Sequence, residues 1–247
     1  MAVVGRHTMT EAGRCADALW ARWARILGPA PQWDPARTST LVVVPHPDDE
    51  VLASGGLICR QRDRGVDVRV VAVTDGENAY GGAVDAIELA AVRSSEQRDA
   101  LGILGVDAST TSRLEFPDGS VARHEAQLIE DIIRLCHGCG QVVAPWIDDH
   151  HCDHEACGRA ATTAAVALGV PVVYSMFWTW HHVAPERLAA EHVAGMPLEQ
   201  SEARRRREAL ARHRSQLTDV VADEPMLSSA DVEPLRWTTE YYIVPRR

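Results

Sequence analysis

The chain has 247 residues, 46% hydrophobic and 24% charged, the make-up of a globular protein able to bury a full core. Its 35 acidic residues against 25 basic ones leave a formal charge of −10, a poor electrostatic match for nucleic acid. Every basic residue is arginine, which excludes chemistry resting on a lysine amine: Schiff-base and pyridoxal-phosphate enzymes, and the P-loop and protein-kinase lysines.

Residues 9–27 carry Ala12, Cys15, Leu19, Trp20, Trp23, Ile26 and Leu27 at helical spacing and predict an amphipathic helix. Gly28, Pro29, Pro31 and Pro35 then break the pattern. Residues 1–39 therefore read as an N-terminal helical arm, packed on the domain's own surface or at a contact between copies in a homo-oligomer. Residues 40–247 read as the main domain.

From Thr40 the pattern alternates. Thr40 to Val44 is a continuous apolar run, as in a strand buried on both faces, followed by a predicted helix from Gly55 to Arg64. Further strands are predicted at Val68–Val73, Gln141–Ala144 and Val170–Tyr174, with helices at 86–104, 123–136 and 155–168. This order predicts an α/β fold: a Rossmann-like, mostly parallel sheet with helices on both faces and its site beyond the carboxyl ends of the strands. Arg204 to Arg207 read as a solvated helix face, and Cys136 and Cys139 as incidental cysteines near a helix end. No charged-then-apolar leader opens the sequence and no apolar run approaches bilayer length, so the expectation is a reduced cytoplasmic protein without a membrane span.

Two loops that follow strong strands carry the chemistry. The first, Pro45 to Glu50, packs His46, Asp48, Asp49 and Glu50 among two prolines. Consecutive carboxylates repel and are costly to desolvate together, so a bound cation is the simplest thing that makes the cluster favourable. The second, Trp146 to Glu155, holds His151 and His154 three residues apart, on one face if they open a helix, with Asp149 or Asp153 placed to cap it. His46, Asp49 and one histidine of the second loop would give three protein ligands and an open position, the pattern of a catalytic zinc site. Trp178 and Trp180, just past a strand end, read either as core or as an aromatic wall for a sugar or its aglycone, with His181 and His182 beside them.

These residues resemble the LmbE-like, or PIG-L, family of zinc N-deacetylases. His46 to Glu50, followed by Gly55 and Gly56, match its His-Pro-Asp-Asp-Glu motif, and His151 to His154 match its His-Pro-Asp-His motif with Cys152 in place of the proline. Arg93 and Glu96, the Phe116 to Gly119 turn and the segment from Ala211 to Leu217 extend the resemblance over about residues 40–217. It implies one Zn2+ (or another divalent metal) held by His46, Asp49 and His154, with Asp48 as general base and His151, protonated, steadying the oxyanion. It also implies substrate contacts from Arg93 and Asp118; Asp153 stands behind the ligands. Asp149 occupies the position where mycothiol-type members carry a tyrosine. The implied reaction is hydrolysis of an N-acetyl group on a small amino sugar or sugar-bearing molecule, including those of natural-product biosynthesis. The alternatives are hydrolysis of another amide such as a thiol conjugate, a metal phosphoesterase suggested by the Asp149-His150-His151 triplet, and a metal-stabilised binding protein.

Overall fold

The computed structural model describes residues 11–245. In chain order the elements are α1 (Glu11–Leu27), β1 (Thr40–Val44), α2 (Asp49–Asp63), β2 (Val68–Ala72), α3 (Ala86–Leu104), β3 (Thr111–Arg113), α4 (Glu125–Leu135), β4 (Gln141–Pro145), α5 (Cys152–Leu168), β5 (Val172–Ser175), α6 (Thr179–His182), β6 (Val193–Pro197), α7 (Gln200–Leu210), α8 (Arg214–Leu217) and β7 (Thr239–Ile243). The sheet has the order β3-β2-β1-β4-β5-β7-β6. β1 to β5 pair in parallel, and β7 runs antiparallel to both β5 and β6. The mostly parallel α/β sheet is the one the alternation predicts, with an added antiparallel edge.

β1 and β4 are buried at every residue, which is why they read as unbroken apolar runs. Alternate residues feed opposite faces. Val42, Val44, Val68 and Val70 pack with Val51, Leu57 and Ile58 of α2 and Leu101 and Leu104 of α3. Leu41, Val43, Val71 and Val142 pack with Leu128 and Ile132 of α4 and the alanines 156, 160, 161 and 164 of α5. That alanine face lets α5 ride close to β4: a Cβ on Gly158 would stand 2.5 Å from the Pro145 carbonyl oxygen.

The predicted arm helix appears as α1; residues 9 and 10 of that prediction lie outside the described residues. Trp23 is fully buried, meets Trp180 edge to face at 5.0 Å, and donates from Nε1 to the Trp180 carbonyl at 2.8 Å. Its indole N–H is thus satisfied, as a buried tryptophan requires. One reading of the sequence needs correction. Arg206 is not on a solvated face: it is buried against Glu240, whose carboxylate also accepts from the Gly56 and Leu57 amides. Only a glycine permits that approach, since a Cβ on Gly56 would lie 2.3 Å from Leu198 Cδ2 and 2.9 Å from the Glu240 carboxyl carbon. Of the two tryptophans read as core or as an aromatic wall, Trp180 is core, whereas Trp178 is half-buried and lines a cavity beside the first loop.

Because β1 and β4 are neighbours although β2 and β3 intervene in sequence, their following loops open side by side. This is the topological switch point of the sheet, where crevices form in such folds.

Candidate active site

A cavity of about 240 Å³ opens at that point, lined on one side by His46, Asp48, Asp49, Arg93, Asp118 and His151. The first loop turns from β1 straight into α2, six residues earlier than the predicted start at Gly55. Asp49 and Glu50 occupy the first helical turn, where the helix dipole favours carboxylates. The turn itself is made by Asp48 at φ 136°, a conformation that side chains rarely adopt and that clusters at functional sites. Its neighbours hold it there: the Asp48 amide donates to Glu50 Oε2 at 3.2 Å, and the Pro47 carbonyl accepts from Arg93 Nη2 at 2.9 Å.

The second loop runs from β4 into α5, which begins at Cys152, three residues before its predicted start. Neither Asp149 nor Asp153 caps it. The cap is His151, whose Nδ1 accepts from the Asp153 amide at 3.3 Å. If the ring is neutral, its proton therefore sits on Nε2.

The two loops bring His46, Asp49, His151 and His154 together. His46 Nδ1 and His154 Nε2 each lie 3.2 Å from Asp49 Oδ2. One ring nitrogen each from His46, His151 and His154 lie within 4.8 Å of one another. The outward nitrogens of two rings meet carboxylates: His154 Nδ1 is 2.8 Å from Asp149 Oδ2, and His46 Nε2 is 3.2 Å from Asp118 Oδ1 and 3.3 Å from Asp153 Oδ2. Histidines held from behind by carboxylates in this way are oriented to present their other nitrogen to a metal.

Charge is concentrated in little space. Burial alone would lower the pKa of His46, yet its hydrogen bonds to Asp118, Asp153 and Asp49 raise it well above the ordinary value. His154 is likewise pulled down by burial, but the Asp49 charge and the Asp149 hydrogen bond bring it up to about 9. Burial would raise Asp49, while the His154 and His46 partners hold it well below the usual carboxylate range. Asp48 is pushed up to about 7, because burial outweighs the neighbouring Arg93 charge. His151 goes the other way, to about 4, through burial and then the adjacent His154 and His46 charges. The pocket thus draws positive charge between Asp49 and the two histidines. His154 Nε2 is buried without a hydrogen-bond partner, in spite of facing Asp49. Two imidazoles and one carboxylate with an orphaned, inward nitrogen are a donor set that fits zinc.

Arg93 and Asp118 both line the cavity, but most of their bonds run inward. Arg93 reaches the Gly76 carbonyl at 2.8 Å, the Pro47 carbonyl, and Asp48 Oδ2 at 3.3 Å. Asp118 accepts from the Asn78 amide at 3.0 Å and faces His46. Asp153 accepts from the Gly119 and Val121 amides at 2.7 and 3.0 Å, which ties the Phe116 to Gly119 turn to the second loop. The Asp149-His150-His151 triplet does not act as a unit, since Asp149 is fully buried behind His154 while His150 is exposed.

Several residues act at the site in ways that the sequence did not assign to them. Asp149 accepts from the Phe177 and Thr179 amides at 3.1 and 2.9 Å as well as facing His154; its position five residues before a candidate ligand was the available signal. Glu50 is fully buried with Oε1 3.1 Å from His213 Nε2, and its Oε2 accepts from Gln97 Nε2 at 3.0 Å. Gln97 and His213 lie far away in sequence; the Ala211 to Leu217 segment of the resemblance contains His213 but gives it no role, and nothing local marks Gln97. Trp178 stacks on His151 at 6.3 Å and 18°, and on His182 at 5.6 Å and 24°.

Residues 41–165 match the family described as GlcNAc-PI de-N-acetylase, PIG-L, and the chain belongs to that family. Among curated relatives it is 47% identical over 168 residues to the 1D-myo-inositol 2-acetamido-2-deoxy-alpha-D-glucopyranoside deacetylase of Mycobacterium sp. strain KMS, covering 56% of this chain and 53% of that one. It is 32% identical over 136 residues to the diacetylchitobiose deacetylase of Thermococcus kodakarensis, covering 53% and 50%. The chain thus spans about half the length of these relatives. Among solved structures, the conserved protein TT1542 of Thermus thermophilus superposes with a TM-score of 0.64 at 24% identity, over 85% of this chain and 95% of that one, and supports the fold. Among the described residues no helix is long and apolar enough to cross a membrane.

Proposed function

We propose that this protein is a metal-dependent N-deacetylase that hydrolyses the N-acetyl group of an amino sugar or of a sugar-bearing small molecule. The observation that carries it is the cluster of His46, Asp49 and His154 with Asp48 beside it, in a cavity at the sheet's switch point. The names of both curated relatives, deacetylases of amino-sugar compounds, support the substrate class.

His46, Asp49 and His154 would hold a zinc ion, which when bound polarises an acyl carbonyl and makes water a better nucleophile. Asp48 is the base: its carboxylate lines the cavity one residue from a ligand, and it takes the proton of the attacking water as oxygen bonds to the acyl carbon. His151 faces the same space. With Nδ1 engaged by the Asp153 amide, it offers a neutral Nε2–H to the developing oxyanion, in place of the imidazolium the sequence suggested. The carbon–nitrogen bond then breaks, and the amine leaves with the proton that Asp48 collected. Arg93 acts on this chemistry through Asp48 and the Pro47 carbonyl, and Asp118 and Asp153 through His46.

The test is release of acetate and free amine from N-acetylglucosaminides. Activity is expected to vanish after treatment with a strong chelator and to return with Zn2+. Acetate release that persists in metal-free protein would refute the reading.

A further inference from the structure

Cys152 stands where the family motif has proline, at the first position of α5, and its thiol is exposed on the cavity wall. The other four cysteines described, Cys59, Cys136, Cys139 and Cys157, are buried. Around Cys152 a second donor set forms: a ring nitrogen of His151, the Cys152 Sγ and a carboxylate oxygen of Asp153 all lie within 4.8 Å of one another. Cys152 Sγ and Asp153 Oδ1 are 3.8 Å apart. With a zinc–sulfur distance of about 2.3 Å and a zinc–oxygen distance of about 2.1 Å, one ion spans that gap at an S–metal–O angle of about 120°, near tetrahedral. Asp153 Oδ1 accepts the Val121 N–H and the Cys152 S–H, so loss of the thiol proton frees one of its lone pairs for the ion.

We propose that His151, Cys152 and Asp153 form a second, inhibitory site for a thiophilic divalent cation such as Zn2+ or Cd2+ at the wall of the cavity. On binding, the Cys152 thiol loses its proton to solvent and the thiolate becomes the soft ligand that an imidazole and a carboxylate complete. The ion takes His151 out of the reaction and fills the space that an acyl group needs. A proline at this position offers no such ligand, so a thiolate site of this kind depends on Cys152. The inhibitory consequence rests on the deacetylase reading; the binding does not.

The experiment uses full-length protein loaded with one Zn2+ per chain and freed of excess. Equilibrium dialysis against rising Zn2+ with elemental analysis counts the metal, and titration with Cd2+ follows thiolate-to-metal charge-transfer absorption. Cys152→Ala and Cys152→Ser are compared with the wild type. The expected result is a second metal and a thiolate band in the wild type, both absent in the two variants. Zn2+ inhibition of deacetylation should move to at least ~10-fold higher free metal in both variants. The proposal is overturned if the wild type takes up no second metal, or if the second metal or the band survives in Cys152→Ala. Should the protein show no deacetylase activity at all, stoichiometry and absorption still decide whether the site exists.

Discussion

Replacing His213 tests the network that holds the first loop. His213 and Glu50 are fully buried, with Nε2 and Oε1 3.1 Å apart. Burial alone would push the His213 pKa down, but the hydrogen bond and charge of Glu50 outweigh it and raise it above the ordinary value. At an effective dielectric of ~20, unit charges at that distance attract by about 5 kcal/mol, much of which offsets their desolvation. Removing one partner leaves the other charge buried and uncompensated, at a cost of about 3–5 kcal/mol. For a chain of this size each kcal/mol shifts Tm by roughly 2–4 °C, so His213→Ala is expected to lower Tm by roughly 6–20 °C. His213→Gln keeps a hydrogen bond to the carboxylate and should lose about half as much.

The sign with pH is fixed. A histidine whose pKa is higher in the folded than in the unfolded protein contributes stability that is complete below the unfolded value of about 6.5 and fades as pH rises through the folded one. Calorimetry of the wild type and His213→Gln should therefore show a larger Tm gap at about pH 6 than at about pH 9. The double variant Glu50→Gln with His213→Gln should recover part of the loss, since no lone charge is left buried. Activity should fall in His213→Ala with zinc retained, because Glu50 also accepts the Asp48 amide and so fixes the turn that carries the base. A Tm within about 1 °C of wild type for His213→Ala, or a gap that widens with pH, would refute the reasoning.

The site yields further expectations. Asp48→Asn should keep stoichiometric zinc by elemental analysis while kcat drops roughly 10²–10⁴-fold, and loss of metal would make Asp48 a ligand instead. His154→Ala should lose the metal, and Asp149→Asn, which weakens the carboxylate behind His154, should lower zinc affinity about 10–100-fold in competition with a chelating dye. Trp178→Ala removes the ring stacked on His151 and opens the cavity wall. It should lower kcat/KM for N-acetyl glycosides while zinc content stays unchanged, and an unaltered kcat/KM would mean that the ring only fills space.

The centre of the parallel sheet was legible because β1 and β4 are buried on both faces, whereas β3, three half-buried residues at the edge, was missed. Runs such as Thr40 to Val44 and Gln141 to Ala144 cannot be solvated loops, and the helices between them begin and end on visible signals. Asp85 caps α3 with its carboxylate on the Ile87 and Glu88 amides, and Gly105, at φ 91°, ends it. The antiparallel edge was not legible. β6 is Val-Ala-Gly-Met-Pro, where a glycine and a proline break the strand pattern, and that glycine is needed because a Cβ would meet Thr239 and Tyr241 at 2.9–3.0 Å. Both helices at the site start earlier than periodicity predicts, since their first turns consist of acids and histidines with work in the cavity rather than residues of an apolar stripe.

The same division runs through the site. Residues whose chemistry is displayed by adjacency, His46 with Asp49 and His151 with His154, could be found from spacing, because a metal site needs several donors and short loops supply them together. Residues that act at a distance did not show their partners: the resemblance singles out Arg93 and the segment holding His213, but not what they touch. Arg93 lies 45 positions from Asp48, Gln97 lies 47 from Glu50 and His213 lies 163 from it, and each pairing is recognised only when the fold closes. Their role explains why they must be remote. Asp48 is held at φ 136°, and strain of this kind, of order 1–3 kcal/mol, persists only if surrounding elements over-determine it. Contacts within the six-residue loop could relax together with it; a guanidinium from α3, an amide from the same helix and an imidazole ahead of α8 cannot. The opposing demands on Gly76 show the constraint from the other side. Its φ is +63°, and a Cβ there would sit 2.1 Å from Arg93 Nη1, so any side chain would push the guanidinium away from the turn it braces.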